Sequence, residues 1–98
     1  MKKLSKVLKS KRESRGLLLR ELASKINVDT ALISKIENDD RRPTKEQLKK
    51  LSKALEINFM TLSTLWYAEK IYDELKNEKN IDDILKEIKK KVKQPKSI

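Results

Sequence analysis

Residues 19–37, LRELASKINVDTALISKIE, constrain this chain more than any other stretch. At helical spacing they give two short helices joined by a tight turn. Leu22, Ala23 and Ile26 share one face of the first helix, and Ile33 and Ile36 share one face of the second. Asn27, Val28 and Asp29 lie between them. Asn tolerates the left-handed conformation that ends a helix. Asp is a strong N-cap, its carboxylate accepting from the first free N–H groups of the helix that follows. Ala23 is small, as two helices crossing at a steep angle require where their backbones approach. A helix, a three-residue turn and a second, capped helix make a helix-turn-helix.

The rest of the chain narrows what such a unit can be part of. Its 98 residues suffice for one small domain and an appendage. One Gly, two Pro and the lack of extended β-branched alternation predict an all-α fold. Charged residues make up 41% of the chain, and the formal net charge is +10. So large an excess on so small a domain calls for a polyanionic partner, nucleic acid or an anionic membrane surface. The excess is uneven: residues 1–57 carry a net +8, residues 58–98 only +2. The positive charge travels with the helix-turn-helix half, as a nucleic-acid surface would.

With no Cys and no His, disulfides, Cys/His metal sites, His acid–base chemistry and Cys nucleophiles are all excluded. The Asp and Glu residues are spread over helical surfaces, so no catalytic constellation assembles and an enzyme is not expected. No cofactor and no metal are expected either. Apolar runs are too short for a signal-peptide core or a transmembrane span, so the expected location is cytoplasmic, with no membrane partner.

Taken in order, residues 4–15 carry Leu4, Val7 and Leu8 at i, i+3, i+4, a first amphipathic helix that Gly16 stops. Leu17 then turns inward, and the helix-turn-helix follows. NDDRRP, residues 38–43, is a polar loop in which Pro43 forbids a continuing helix. Thr44 and Gln47 form a capping box that opens a fourth helix, with Leu48, Leu51, Ala54 and Leu55 inward. Ile57 marks the next bend, and Asn58 caps a fifth helix starting at Phe59. From Trp66 the apolar stripe of Leu65, Ala68, Ile71, Tyr72 and Leu75 runs on to about Lys76 without a stop signal. NEKN, residues 77–80, interrupts it, with Asn80 as the expected N-cap of the last helix. That helix carries Ile81, Leu85, Ile88 and Val92 at spacings of four, three and four, a coiled-coil-like seam. Asp82 and Asp83 suit the positive end of its dipole, and Lys89 to Lys93 the negative end. Residues 94–98 are expected to fray.

These residues together resemble the phage-repressor type of helix-turn-helix domain, the Xre/Cro-like family of transcription regulators. The marks are Arg12, Gly16-Leu17, Leu22-Ala23, Val28 and Ile33-Ser34-Lys35-Ile36-Glu37. Pro43, Leu48, Leu51, Ala54-Leu55 and Ile57 complete the pattern. The resemblance implies a five-helix repressor-like domain over residues 1–65, with residues 66–98 as a C-terminal helical extension. It also implies that the third helix lies in the DNA major groove. The chain departs from the family where Leu18 and Leu19 replace a Ser or Thr cap and a phosphate-holding Gln. Asn27 and Asp39 stand where the family has Gly, and both tolerate the left-handed conformation. The wording GLLLRE…VDTALISKIE also resembles a subset of the family found beside restriction–modification genes.

If the third helix enters the groove, Thr30, Ala31, Ser34 and Lys35 are its outward residues. Lys35 can donate to guanine O6 and N7, Ala31 and the Thr30 methyl can meet a thymine methyl, and Ser34 can donate or accept. Asn38, Arg41 and Arg42 are the expected phosphate contacts, to which the free N–H groups of the second helix could add another. For Lys2, Lys3, Lys6, Lys9 and Lys11, phosphate contact and plain solvation are equally open. The resemblance implies an ion pair between Arg12 and Glu37 that ties the first helix to the end of the third. Trp66, Ile71, Leu75, Ile81, Leu85, Ile88 and Val92 exceed what a short tail needs to cover itself, and they are expected to build a homodimer interface. The same tail is expected to cover Leu18 and Leu19.

The expected function is that of a sequence-specific regulator of transcription, binding double-stranded DNA as a homodimer on a two-fold-related operator, with no small-molecule ligand. The competing reading is an antitoxin-type module that neutralises a partner protein through its C-terminal helices.

Overall fold

A computed structural model describes residues 2–93, so the expected fraying at 94–98 lies outside the described residues. The described residues are all-helical: α1 (Leu4–Ser14), α2 (Leu19–Lys25), α3 (Thr30–Glu37), α4 (Lys45–Leu55), α5 (Phe59–Leu75) and α6 (Ile81–Lys93).

The first four helices end by the same device. After each, a residue with positive φ lets its own N–H and that of the next residue turn back onto the last free carbonyls. Gly16 (φ 68°), Asn27 (φ 57°), Asp39 (φ 63°) and Glu56 (φ 54°) hold these positions. The returning bonds run from Leu17 N to Arg12 O, Val28 N to Ala23 O, Asp40 N to Lys35 O and Ile57 N to Ser52 O, at 2.9–3.0 Å. Only Glu56 is a poor residue for this conformation, and Arg15 donates to its carboxylate. Two starts are capped as the sequence predicts. Gln47 N donates to Thr44 Oγ1 at 3.1 Å while Thr44 N donates to Gln47 Oε1 at 2.9 Å. Thr61 N donates to Asn58 Oδ1 at 3.3 Å.

The apolar faces meet in one core. Leu8, Leu22, Ile26, Ile33, Leu48, Leu51, Leu55 and Leu62 are fully buried. Each contributes ~1.5–3 kcal/mol relative to an exposed position. Ala23 is also buried, and α2 packs against α3. Val28, Leu32, Ala54, Ile57, Phe59 and Leu65 close the edges of the core.

Three expectations are corrected here. Trp66 is not on a free face: it is buried in the core, and its Nε1–H donates to Pro43 O at 2.7 Å. Because α5 is continuous from Phe59 to Leu75, a division after residue 65 would cut through a helix and remove this indole. The helix that carries Trp66 thus runs across the expected boundary between residues 65 and 66. Leu18 is also uncovered, being 49% exposed, while Leu19 packs on the edge of its own core. The third correction concerns Asp29. It holds the N-cap position of α3 with extended backbone, but its carboxylate makes no capping bond.

The start of α1 is tied down by α5: Leu4 N donates to Glu69 Oε2 at 2.7 Å. Glu69 stands in for the cap that Lys3 cannot provide. Beyond the core domain α6 buries none of its residues.

Candidate nucleic-acid interface

α3 presents two chemically distinct faces. Ile33 and Ile36 are buried, with Leu32 half-buried beside them. Thr30, Ala31 and Lys35 are exposed and Ser34 is half-buried, so the four residues expected to face a base edge lie together on the outer side. Lys35 and Arg41 form no ion pair among the described residues. The uncommitted Asp29 carboxylate sits at the tip of this face, next to Thr30. It escapes a reading by residue type, because Asp before a helix is ordinarily consumed by capping.

Beneath the face lies the Arg12–Glu37 pair. Arg12 Nε donates to Glu37 Oε2 at 2.7 Å and Nη2 to Oε1 at 3.0 Å. Nη1 donates to Leu17 O at 2.7 Å. The guanidinium thus joins α1, the segment leading into α2 and the last residue of α3. Both side chains are almost wholly buried, at 10% and 4% exposure. The hydrogen bond to Glu37 outweighs the cost of burial and holds the Arg12 pKa above its ordinary value. No buried side-chain polar atom among the described residues is left without a partner.

The flanking cations are less free than sequence alone suggests. Arg42 donates from Nη2 to Asp73 on α5, so a phosphate would have to compete with an internal carboxylate for this guanidinium. Lys3 Nζ bonds Asp39 Oδ2 at 3.0 Å, which raises the Lys3 pKa. These two pairs border a cleft of about 400 Å³ between the start of α1, residues 39–43 and α5. Asn38 and Arg41 remain exposed, and Asn38 Nδ2 reaches Ser34 Oγ only at 3.5 Å. The α2 N-terminus is a poorer phosphate site than expected. Glu21 folds back so that Leu18 N donates to its Oε1 at 2.8 Å, placing a carboxylate where a phosphate would sit.

A second basic group borders α4 and α5. Lys45 Nζ donates to Tyr67 Oη at 2.9 Å, which lowers the Tyr67 pKa. Lys70 Nζ lies 5.2 Å from the centroid of the Trp66 ring, within cation–π range. Neither contact is visible from helical periodicity alone.

The sequence of residues 8–62, which includes α2, α3 and their supports, matches a helix-turn-helix family model over more than half of the chain. The chain belongs to the Xre/Cro-like helix-turn-helix family. Members of this family are DNA-binding transcription regulators, and so is this protein. The fold is similar to that of a chain in the solved SinR protein–SinI protein complex. The TM-score is 0.57 at 25% identity, with 93% of this chain and 99% of that chain covered. No curated protein gives a match. No helix among the described residues is long and apolar enough to cross a membrane.

Proposed function

We propose that this family member binds its operator sequence-specifically as a homodimer, each copy inserting α3 into the major groove of one half-site. The observation that carries the reading is the outer face of α3. Small or hydrogen-bonding side chains cover it, Lys35 is unpaired there, and the opposite face is locked into the core. Thr30, Ala31, Ser34 and Lys35 read base edges, and Asp29 joins them as an acceptor suited to cytosine N4. Asn38 and Arg41 contact phosphate directly. Arg42 does so by leaving Asp73.

Three of the original four reading residues are small, so part of the specificity rests on DNA shape. The resemblance of GLLLRE…VDTALISKIE to restriction–modification regulators makes such genes the first targets to examine. The direct test is footprinting and titration on the DNA upstream of the protein's own gene. Two protected half-sites about 34–36 Å apart, bound far more tightly than scrambled duplex, are expected. Equal affinity for both duplexes would overturn sequence-specific recognition.

For the dimer, Leu85, Ile88 and Val92 are the exposed large apolar residues on α6; Leu18, Met60, Tyr67, Ile71 and Tyr72 are exposed on the rest of the chain. Ending the chain after Lys76 keeps Trp66 and Glu69, so the shortened protein should melt cooperatively and sediment as a monomer. A shortened chain that still sediments as a dimer would place the interface within residues 1–76.

One observation favours a second reading. The similar solved structure is a complex of SinR protein with SinI protein. The bare face of α6 could likewise seat a different protein, as an antitoxin does. Isolation of this chain with an equimolar second protein, and loss of the homodimer in that complex, would favour it.

A further inference from the structure

We infer that the homodimer is joined by α6 packed antiparallel against the same helix of a second copy. In this register Ile81 meets Val92 of the partner subunit, and Leu85 meets the partner subunit's Ile88. The inference rests on the homodimer reading above and specifies how its two copies fit together.

The first argument is the unsatisfied face. Ile81 and Ile84 are half-buried, but Leu85, Ile88 and Val92 are 40%, 43% and 80% exposed on one side of a 13-residue helix. Their own domain leaves them in water. The second argument is the spacing. Positions 81, 85, 88 and 92 are separated by four, three and four residues, a series that reads the same in reverse. A reversed copy therefore brings every apolar level opposite another apolar level, and the seam is complementary to itself.

Charge decides the direction and the occupant. Asp82 and Asp83 stand at one end of α6, and Lys89, Lys90, Lys91 and Lys93 at the other. Parallel copies would put acid beside acid and base beside base. Antiparallel copies put each acidic end beside a basic end and also oppose the helix dipoles favourably. Asp82, Lys89 and Lys93 lie at i, i+7 and i+11 and so share one flank of the seam. In a two-fold antiparallel pair each flank meets its own reversed counterpart. Asp82 then lies beside Lys89 and Lys93 of the partner subunit. A two-fold axis perpendicular to α6 is also the symmetry that a two-fold-related operator demands. A second copy of this chain supplies all of these matches.

The chain contains no cysteine, so introduced thiols report the register without background. Ile81→Cys and Val92→Cys variants of the full chain are oxidised gently, each alone and after mixing under reducing conditions. Two copies of position 81 would be eleven residues apart along the antiparallel pair, about 16 Å at 1.5 Å per residue. A disulfide needs Cα atoms within about 7 Å. Each variant alone should therefore cross-link at least about ten-fold less than the mixture, whose product joins position 81 to position 92. Leu85→Cys mixed with Ile88→Cys should likewise link, because these two positions face each other at the centre of the antiparallel pair.

Ready self-linking of Ile81→Cys would mean a parallel pair. It would overturn this inference and leave the homodimer standing. A chain that sediments as a dimer but forms no cross-link in any sample places the interface elsewhere, with the same consequence. A chain that sediments as a monomer at tens of micromolar overturns the inference and the homodimer reading together.

Discussion

An Arg12→Ala variant loses ~3–5 kcal/mol of folding stability, because Glu37 is left buried and unpaired. Three hydrogen bonds disappear with the guanidinium, two to Glu37 and one to Leu17 O. For a chain of 98 residues the loss corresponds to a fall in melting temperature of at least roughly 12 °C, or to no cooperative transition at all. The penalty belongs to the broken pair, not to the pair's net worth. A double variant, Arg12→Met with Glu37→Leu, should accordingly recover most of the stability. The pair also fixes the end of α3, so the double variant is expected to fold while binding operator less tightly than wild type. Thermal unfolding of the three proteins decides the first claim. A melting point for Arg12→Ala within a degree or two of wild type would mean the carboxylate finds other partners or water.

The same pair illustrates what the sequence could and could not disclose. Arg12 and Glu37 were legible because they stand at the family's positions and because isolated charges on apolar helix faces need one another. Gly16, Asn27 and Asp39 were legible as helix ends because each residue type tolerates positive φ. Glu56 was not, since nothing in a glutamate suggests that conformation. Its turn is imposed by the packing of Ile57 and by Ser52 Oγ, which donates to Ile57 O at 2.6 Å.

Trp66 shows a different limit. Helical periodicity places it on a stripe, but the period is the same whether the stripe meets its own core or a second chain. The acceptor that draws the indole inward is the carbonyl of Pro43, twenty-three residues earlier. Exposed ion pairs were equally hidden. Arg42–Asp73 and Lys3–Asp39 join residues more than thirty positions apart, and only the docking of α5 and α1 beside the loop brings them together. The outward side of α3 was fully legible, because burial of Ile33 and Ile36 determines which residues of the helix face away from the core.

That face yields the prediction with the greatest consequence for function. Lys35 lies one turn into α3, exposed and without an internal partner. Lys35→Ala should cost ~1–3 kcal/mol per half-site on the operator and relax preference at one base pair. Arg42 sits in the loop beyond the helix and begins from its pair with Asp73. Arg42→Ala should weaken operator and random DNA alike and lower the salt slope by about one unit for each phosphate no longer neutralised. Asp73→Asn releases the same guanidinium, so it should strengthen binding to both duplexes. In the Arg42→Ala background it should do so much less. Glu74→Gln, which removes an equal charge one residue away, controls for net charge alone. Wild type and all five variants are titrated against operator and scrambled duplexes over a range of salt. If Lys35→Ala weakens both duplexes equally, Lys35 touches phosphate, and recognition rests on Asp29, Thr30, Ala31 and Ser34. If neither Lys35→Ala nor Arg42→Ala changes binding, α3 is not the helix that enters the groove.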